Sequence, residues 1–484
     1  MTESESVIEH GNEVFHIEVR GFDHIPEPER NMSLRHVDYL WVGTSVNLLS
    51  FALGALTIAM GLNLWLGFVA CVGGSLLYAY IGLGSIVTVR AGLPVSTLAR
   101  AAFGMRGNGI NALLSWIASV AFEVINTVFG AEAVLSLFKL LGWSDPGNAG
   151  KLLAVLVQLL MCGGIAVLGH ATMVWSQRIF SALIGFALLL VLAFTVGRVD
   201  WAHAAIAHAP LVSHSTLAAL MTATAVIASN PLSFLFNGPD WVRYLPSHTS
   251  GRSIFRHVFW ASFAPSLLLT LMGAYCATLA DMGDPVAGLK PFLPPWLFVI
   301  YIAAVIGGSL ANSVPTYYSS GLTLQALGLR VHRYLATAAD VVVSTLITLY
   351  ILFVKDFSTA LNDFVSLLIV WVGPYGGVWI ADAYLRRARY DASAIHSSLR
   401  TGPYWGSHGL NPAGYIALVA GMLLSAMTMK SPVYDGPLAR ALGGADLSWL
   451  LGFPLSGGLY LLLAVALERR RERLAPQPLG PGSV

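Results

Sequence analysis

The stretch VNLLSFALGA (Val46–Ala55) returns later in the chain as SNPLSFLFNG (Ser229–Gly238). Both copies carry an Asn, two residues, then Ser-Phe: Asn47, Ser50 and Phe51 in the first, Asn230, Ser233 and Phe234 in the second. Amide and hydroxyl groups interrupt an apolar run each time, and Pro231 removes a backbone donor inside the second copy. At membrane depth such an interruption frees N–H and C=O groups, which is tolerated only where they line a cavity or bind something. The pair therefore predicts two broken helices, with Asn47, Asn230 and Pro231 at the breaks.

The rest of the chain supplies the bilayer. Of 484 residues, 56% are hydrophobic and 11% charged, against ~25% charged in a soluble domain. Mean hydropathy is +0.69. Runs of about 20 apolar residues, enough to cross a ~30 Å core, mark twelve spans near 38–60, 65–89, 109–138, 151–169, 179–198, 216–237, 257–280, 295–321, 335–354, 360–384, 412–430 and 447–467. This is an all-α polytopic membrane protein with no cleavable signal, since its opening residues hold no apolar run. Only seven of the 27 Lys and Arg (Lys139, Lys151, Arg198, Lys290, Lys355, Lys430 and Arg440) fall opposite the N-terminal side. Positive-inside bias then sets both termini in the cytoplasm of a cell-membrane protein. A net charge of +2 gives no case for nucleic acid, and Cys71, Cys162 and Cys276 lie alone in separate spans, without disulfide or metal spacing.

The two copies fall in spans 1 and 6, so 38–198 and 216–384 read as inverted repeats of five spans. Two more spans follow at 412–467, between a tail at 1–37 and a basic, then Pro/Gly-rich, disordered tail at 468–484. Inverted repeats with interrupted first helices are a mark of secondary transporters. Neither HExxH, GxSxG nor a Cys/His cluster supports an enzyme, and one chain with a single mid-span Glu does not build a channel lining.

Buried polar residues say what is carried. In span 3, Glu123 and Asn126 share a face, and Phe122 stands one turn before Asn126. A mid-span carboxylate costs roughly 2.5 kcal/mol or more and normally faces an interior cavity; Glu132 lies nearer the outer end, where water reaches it. In span 8, Pro315 falls between Asn312 and Thr316 and exposes a carbonyl. In span 10, Asp382 reads as an interfacial partner for Arg386 and Arg387. Amides with phenyl rings suit a small, flat, uncharged ring that both donates and accepts hydrogen bonds. A nucleobase fits, and so does an amide-rich ring such as a hydantoin.

Longer segments carry a family resemblance: GFDHIPEPER (21–30), WVGTSVNLLSFALG (41–54), PVSTLARAAFGMRGN (94–108), PLSFLFNGPDWVRYLP (231–246), ANSVPTYYSSGLTLQALG (311–328) and GPYGGVWIADAYL (373–385). In this order they resemble the nucleobase–cation symporter-1 family, purine–cytosine permease branch. The resemblance implies a LeuT-like fold of five plus five inverted-repeat helices with two C-terminal helices. It implies import of a nucleobase such as cytosine or a purine by alternating access, with allantoin, hydantoin or another amide-rich ring as the alternative. It assigns substrate binding to Ser50, Phe122, Asn126, Ser233, Phe234, Asn312, Pro315 and Thr316. Thr316 stands where the branch has Asn, and Phe234 where Trp is common. Sodium-coupled relatives carry hydroxyls five to six positions before the span 8 Asn. Gly307 and Ile306 stand there, so a proton is favoured over sodium as coupling ion, with Glu123 as its carrier. No catalytic residue, metal ligand or cofactor is expected. The partners are a small heterocycle and the bilayer, and the oligomeric state is left open.

Overall fold

In the computed structural model, the structure describes residues 13–474 apart from Val19, Ser144, Asp200, 202–214, Arg330, 355–356, Ser398 and 432–433, and the backbone alone at 354, 357–367 and 468–474. The Pro/Gly-rich stretch expected to be disordered lies outside these residues.

The first span is broken where the sequence predicts. Helix α1 (Leu34–Ser45) ends at Val46, φ −91° and ψ 83°, and α2 (Leu48–Ala59) starts after Asn47, extended at φ −137° and ψ 158°. The two halves are bent by 51°. One side chain serves both ends of the break: Asn47 Nδ2 donates to Thr44 O at 3.0 Å, and its Oδ1 accepts from Ser50 N at 2.9 Å. Those bonds satisfy groups that a helix terminus otherwise leaves unpaired. The second span is also interrupted, between α3 (Leu64–Ser75) and α4 (Tyr78–Ala91). Next come α5 (Val95–Phe103), buried along its whole length, α6 (Gly107–Leu140), α7 (Gly147–Leu168) and α8 (His170–Thr195).

In span 6 the break falls later than expected. Helix α9 (Thr216–Ser233) runs through Asn230 and Pro231. Pro231 withholds a bond from the preceding turn alone, and the chain continues one turn further through tight three-residue bonds, Phe234 N to Pro231 O at 3.2 Å and Leu235 N to Leu232 O at 3.0 Å. The interruption lies at Phe234–Asn237, and a 3-10 turn, Gly238–Val242, follows. Asn230 and Pro231 therefore precede the break; they do not form it.

The remaining helices are α10 (Gly251–Cys276), α11 (Pro295–Ala326), α12 (Arg333–Val354), α13 (Phe357–Leu385), α14 (Pro412–Thr428) and α15 (Ser448–Leu474). Ten helices among the described residues are long and apolar enough to cross a membrane, and the bent α1–α2 pair makes 11. The twelfth expected span is α14, which has 17 residues. That is about 26 Å of helix against a ~30 Å core, so length alone does not reach twelve.

Packing follows a two-fold pattern. The centre is α6 against α11, the most extensive contact in the fold; α1 and α2 pack on α10, α3 on α9, and α7 on α12. Numbered as spans, these pairs are 3–8, 1–7, 2–6 and 4–9, a set that maps onto itself when the two groups of five are exchanged, as an inverted repeat requires. The α2–α10 crossing needs glycine. A Cβ on Gly54 would strike the Thr270 carbonyl, and one on Gly273 the Phe51 carbonyl. Helices α13, α14 and α15 pack together beside this core. There Asp382 accepts from Arg386 Nε at 2.9 Å, as expected, and also from Tyr460 OH of α15 at 2.6 Å.

Candidate functional site

The two broken spans meet through the residues that made them look alike. Asn230 Nδ2 donates to Ser50 Oγ at 3.0 Å, and Ser50 Oγ donates to Asn47 Oδ1 at 3.3 Å. Asn230 also reaches Tyr78 OH at 3.3 Å. Ser233 turns back onto its own helix, its hydroxyl donating to Asn230 O at 2.6 Å.

A second chain of amides ties the central helices to the first break. Asn126 Nδ2 donates to Asn312 Oδ1 at 3.0 Å and to Phe122 O at 2.8 Å. Asn312 Nδ2 donates in turn to Thr44 O at 3.0 Å, the carbonyl that Asn47 also holds. Both Asn126 amide protons are thereby used. Its Oδ1 receives no hydrogen bond from a described residue. Thr316 Oγ1 donates to Asn312 O at 3.0 Å and helps hold the first amide's partner in line.

Pro315 acts through its neighbours. Lacking an N–H, it leaves the Ala311 carbonyl without its helical partner, and Gln177 Nε2 of α8 fills that vacancy at 2.7 Å. The Pro315 carbonyl itself accepts from Trp241 Nε1 at 3.2 Å. Trp241 belongs to an aromatic cluster in which Phe234 lies 5.6 Å from both Trp41 and Trp241 and 6.4 Å, near-parallel, from Tyr78. Trp41, Tyr78 and Trp241 went unpredicted. The first and last stand inside the motifs WVGTSVN and NGPDW, but membrane spans are rich in aromatics, and nothing in spacing singled these out.

The expected base-binding residues are thus gathered within one closed centre: Phe122 is 8% exposed, Asn126 2%, Asn312 5%, Phe234 5% and Ser50 0%. An apolar pocket opens beside the first break, lined by Val46–Leu48 and Phe51, by Ile184 and Leu188 of α8, and by Tyr301 and Val305 of α11. None of the expected base-binding residues lines it. Where sodium-coupled relatives were expected to offer hydroxyls stand Ile306 and Gly307, and a Cβ on Gly307 would meet Ile184 and Phe180 of α8; the next residue, Gly308, faces the Val46 carbonyl. The adjacent Ser309 hydroxyl is bonded to Gln158 Oε1 at 3.0 Å and Ile306 O at 2.8 Å.

Glu123 does not join the amides. It is fully buried and faces Asp340 of α12, an acid that span 9 hid within an apolar run. Glu132, by contrast, lies at the protein surface. Among the described residues no group of three or more His, Cys, Asp or Glu is arranged to hold a metal ion.

The chain as a whole has counterparts. Residues 24–452 match a family described as permeases for cytosine/purines, uracil, thiamine and allantoin. A Bacillus subtilis protein provisionally named a purine-cytosine permease is 25% identical over 94% of this chain and 97% of its own. A purine-cytosine permease of Emericella nidulans is 24% identical over 92% and 88%. The fold is similar to that of Mhp1, a nucleobase-cation-symport-1 family transporter solved closed around bromovinylhydantoin, with a TM-score of 0.75 at 16% identity over 95% of this chain and 97% of that one.

Proposed function

The chain belongs to the family of permeases for cytosine/purines, uracil, thiamine and allantoin, and from that premise we infer that it is a symporter importing a nucleobase such as cytosine or a purine. The observation that carries the substrate reading is the amide chain from Asn126 through Asn312 to Thr44, with one unused acceptor on Asn126. A heterocycle edge carrying adjacent N–H and C=O groups can replace the Asn126–Asn312 bond with two of its own, while Phe122 supplies a ring face.

Alternating access follows from the two breaks. The Asn47–Ser50–Asn230 bonds join the movable first helices of the two repeats, so a guest beside them feels both at once. The coupling ion in this reading is a proton carried by Glu123. Supporting it, Ile306 and Gly307 stand where sodium-coupled relatives are expected to carry hydroxyls, and the nearby Ser309 hydroxyl is engaged with Gln158. In this reading the protein works in the cell membrane with both termini cytoplasmic, an orientation that the placement of its Lys and Arg supports.

Uptake of labelled cytosine, challenged in turn by adenine, hypoxanthine, uracil and allantoin, tests the substrate. Strong competition by cytosine or a purine supports the reading. Competition by allantoin alone moves the assignment to the amide-rich non-base rings that the family also carries.

A further inference from the structure

We propose that Glu123 and Asp340 form a single protonation site between α6 and α12, one carboxyl holding a proton against the other, set behind the amides that bind substrate. The proposal rests on the reading of the protein as proton-coupled and goes beyond it by naming the second acid and the charge state.

Both residues are 0% exposed and face each other across the α6–α12 contact, where Trp116 of α6 bonds Asp340 and Val120 and Val124 pack against Val343 of α12. Written as two carboxylates, neither Glu123 oxygen has a partner and Asp340 Oδ2 has none either. Only a proton lets one carboxyl bond the other, and two like charges facing each other in a dry interior cannot both persist. The proton belongs on Glu123. The donors gather on the other acid: Trp116 Nε1 donates to Asp340 Oδ1 at 2.7 Å, and the otherwise unpartnered Ser320 hydroxyl stands beside the same carboxyl. Glu123 thus donates and Asp340 accepts.

The titratable groups facing the pair are Tyr317 of α11 and Cys162 of α7. Tyr317 OH is engaged with Ser344 Oγ of α12 at 2.9 Å. Among the described residues no Lys, Arg or His pairs with either acid, so no cation can take the proton's part. Release of the proton creates two adjacent carboxylates and drives α6 from α12. Because Asn126 lies three residues along α6 from Glu123, the same helix that loses the pair loses its alignment with Asn312. Proton and substrate then stabilise one conformation through one rigid element.

The test is a pH-difference infrared titration of the full-length protein in lipid, which needs no substrate. The expected wild-type spectrum has a protonated carboxyl C=O band at neutral pH that disappears on alkalinisation and is absent in Glu123→Gln. In Asp340→Asn the band titrates at lower pH, because no neighbouring charge opposes ionisation. In Trp116→Phe, which withdraws a donor from Asp340, it titrates at higher pH. A purely structural role for Asp340 would not move the two variants in opposite directions. Absence of the band at neutral pH, or a titration unmoved by both Asp340→Asn and Trp116→Phe, overturns the shared site. If the band behaves as expected but substrate uptake ignores an uncoupler, the pair exists and the proton-coupled reading is what fails.

Discussion

At the scale of single residues, the proposed substrate site is a chain of amides that bond each other, from Asn126 through Asn312 to Thr44. Asn126→Ala deletes the free acceptor and strands Asn312 Oδ1, so it should weaken substrate affinity by about 1–3 kcal/mol, roughly 5- to 150-fold. Surface expression should stay normal, and an unchanged uptake affinity would remove Asn126 from the site. Asn126 and Asn312 were each visible in the sequence, because a polar side chain in an apolar span demands a reason. That they meet, 3.0 Å apart, was not. Residue spacing within one helix says which side chains share a face, but nothing about which helix that face meets. The same limit explains Glu123. Its burial was legible, yet its spacing from Asn126 pointed towards substrate, whereas the structure turns it to Asp340. Gln177 was missed for a related reason: its task is set by Pro315, on a different helix.

At the scale of elements, the first break was legible because Asn47 caps both halves, and an Asn inside an apolar run has few other uses. The second was displaced, because proline disturbs the turn before it and permits a further turn after it. Pro231→Ala should therefore restore an N–H within α9 while leaving the interruption at Phe234–Asn237 intact. Initial uptake rates within about threefold of wild type are expected; a collapse would mean that the proline itself sets the break. Gly54→Ala should behave differently, since its methyl meets the Thr270 backbone rather than a yielding side chain. Overpacking of this kind costs about 1–3 kcal/mol. It should lower the melting temperature of the purified protein by several degrees and slow transport, because α2 must ride on α10. An unchanged melting temperature would mean that the two helices part more readily than their close approach implies.

At the scale of the whole molecule, the N-terminal tail ties one end of the bundle together. Glu18 is buried at the single-residue corner between α7 and α8, Gly169, whose φ is +114°. It accepts from His170 N at 2.8 Å, Tyr244 OH at 2.5 Å and Tyr318 OH at 3.1 Å, with Arg333 and Arg243 at 3.6 and 3.7 Å. Burial pushes its carboxyl up, but Arg333 and Arg243 outweigh that and hold it below the ordinary carboxylate range. A depressed value means that the stabilisation is complete above the unfolded value of ~4.3 and fades as pH falls through the folded one. Glu18→Gln should thus cost about 3–5 kcal/mol by stranding buried arginine. The gap in melting temperature from wild type should be constant between pH 6 and 8 and narrow only below about pH 4. A gap that closed near neutrality would mean another group controls this end. Proton-coupled import of a nucleobase is tested most directly in proteoliposomes with an acidic exterior and no sodium, by following labelled cytosine and internal pH together. Cytosine should accumulate above its external concentration, acidify the lumen as it enters, and drain when an uncoupler is added. Equilibration without accumulation, or accumulation that needs sodium and ignores the uncoupler, would contradict it.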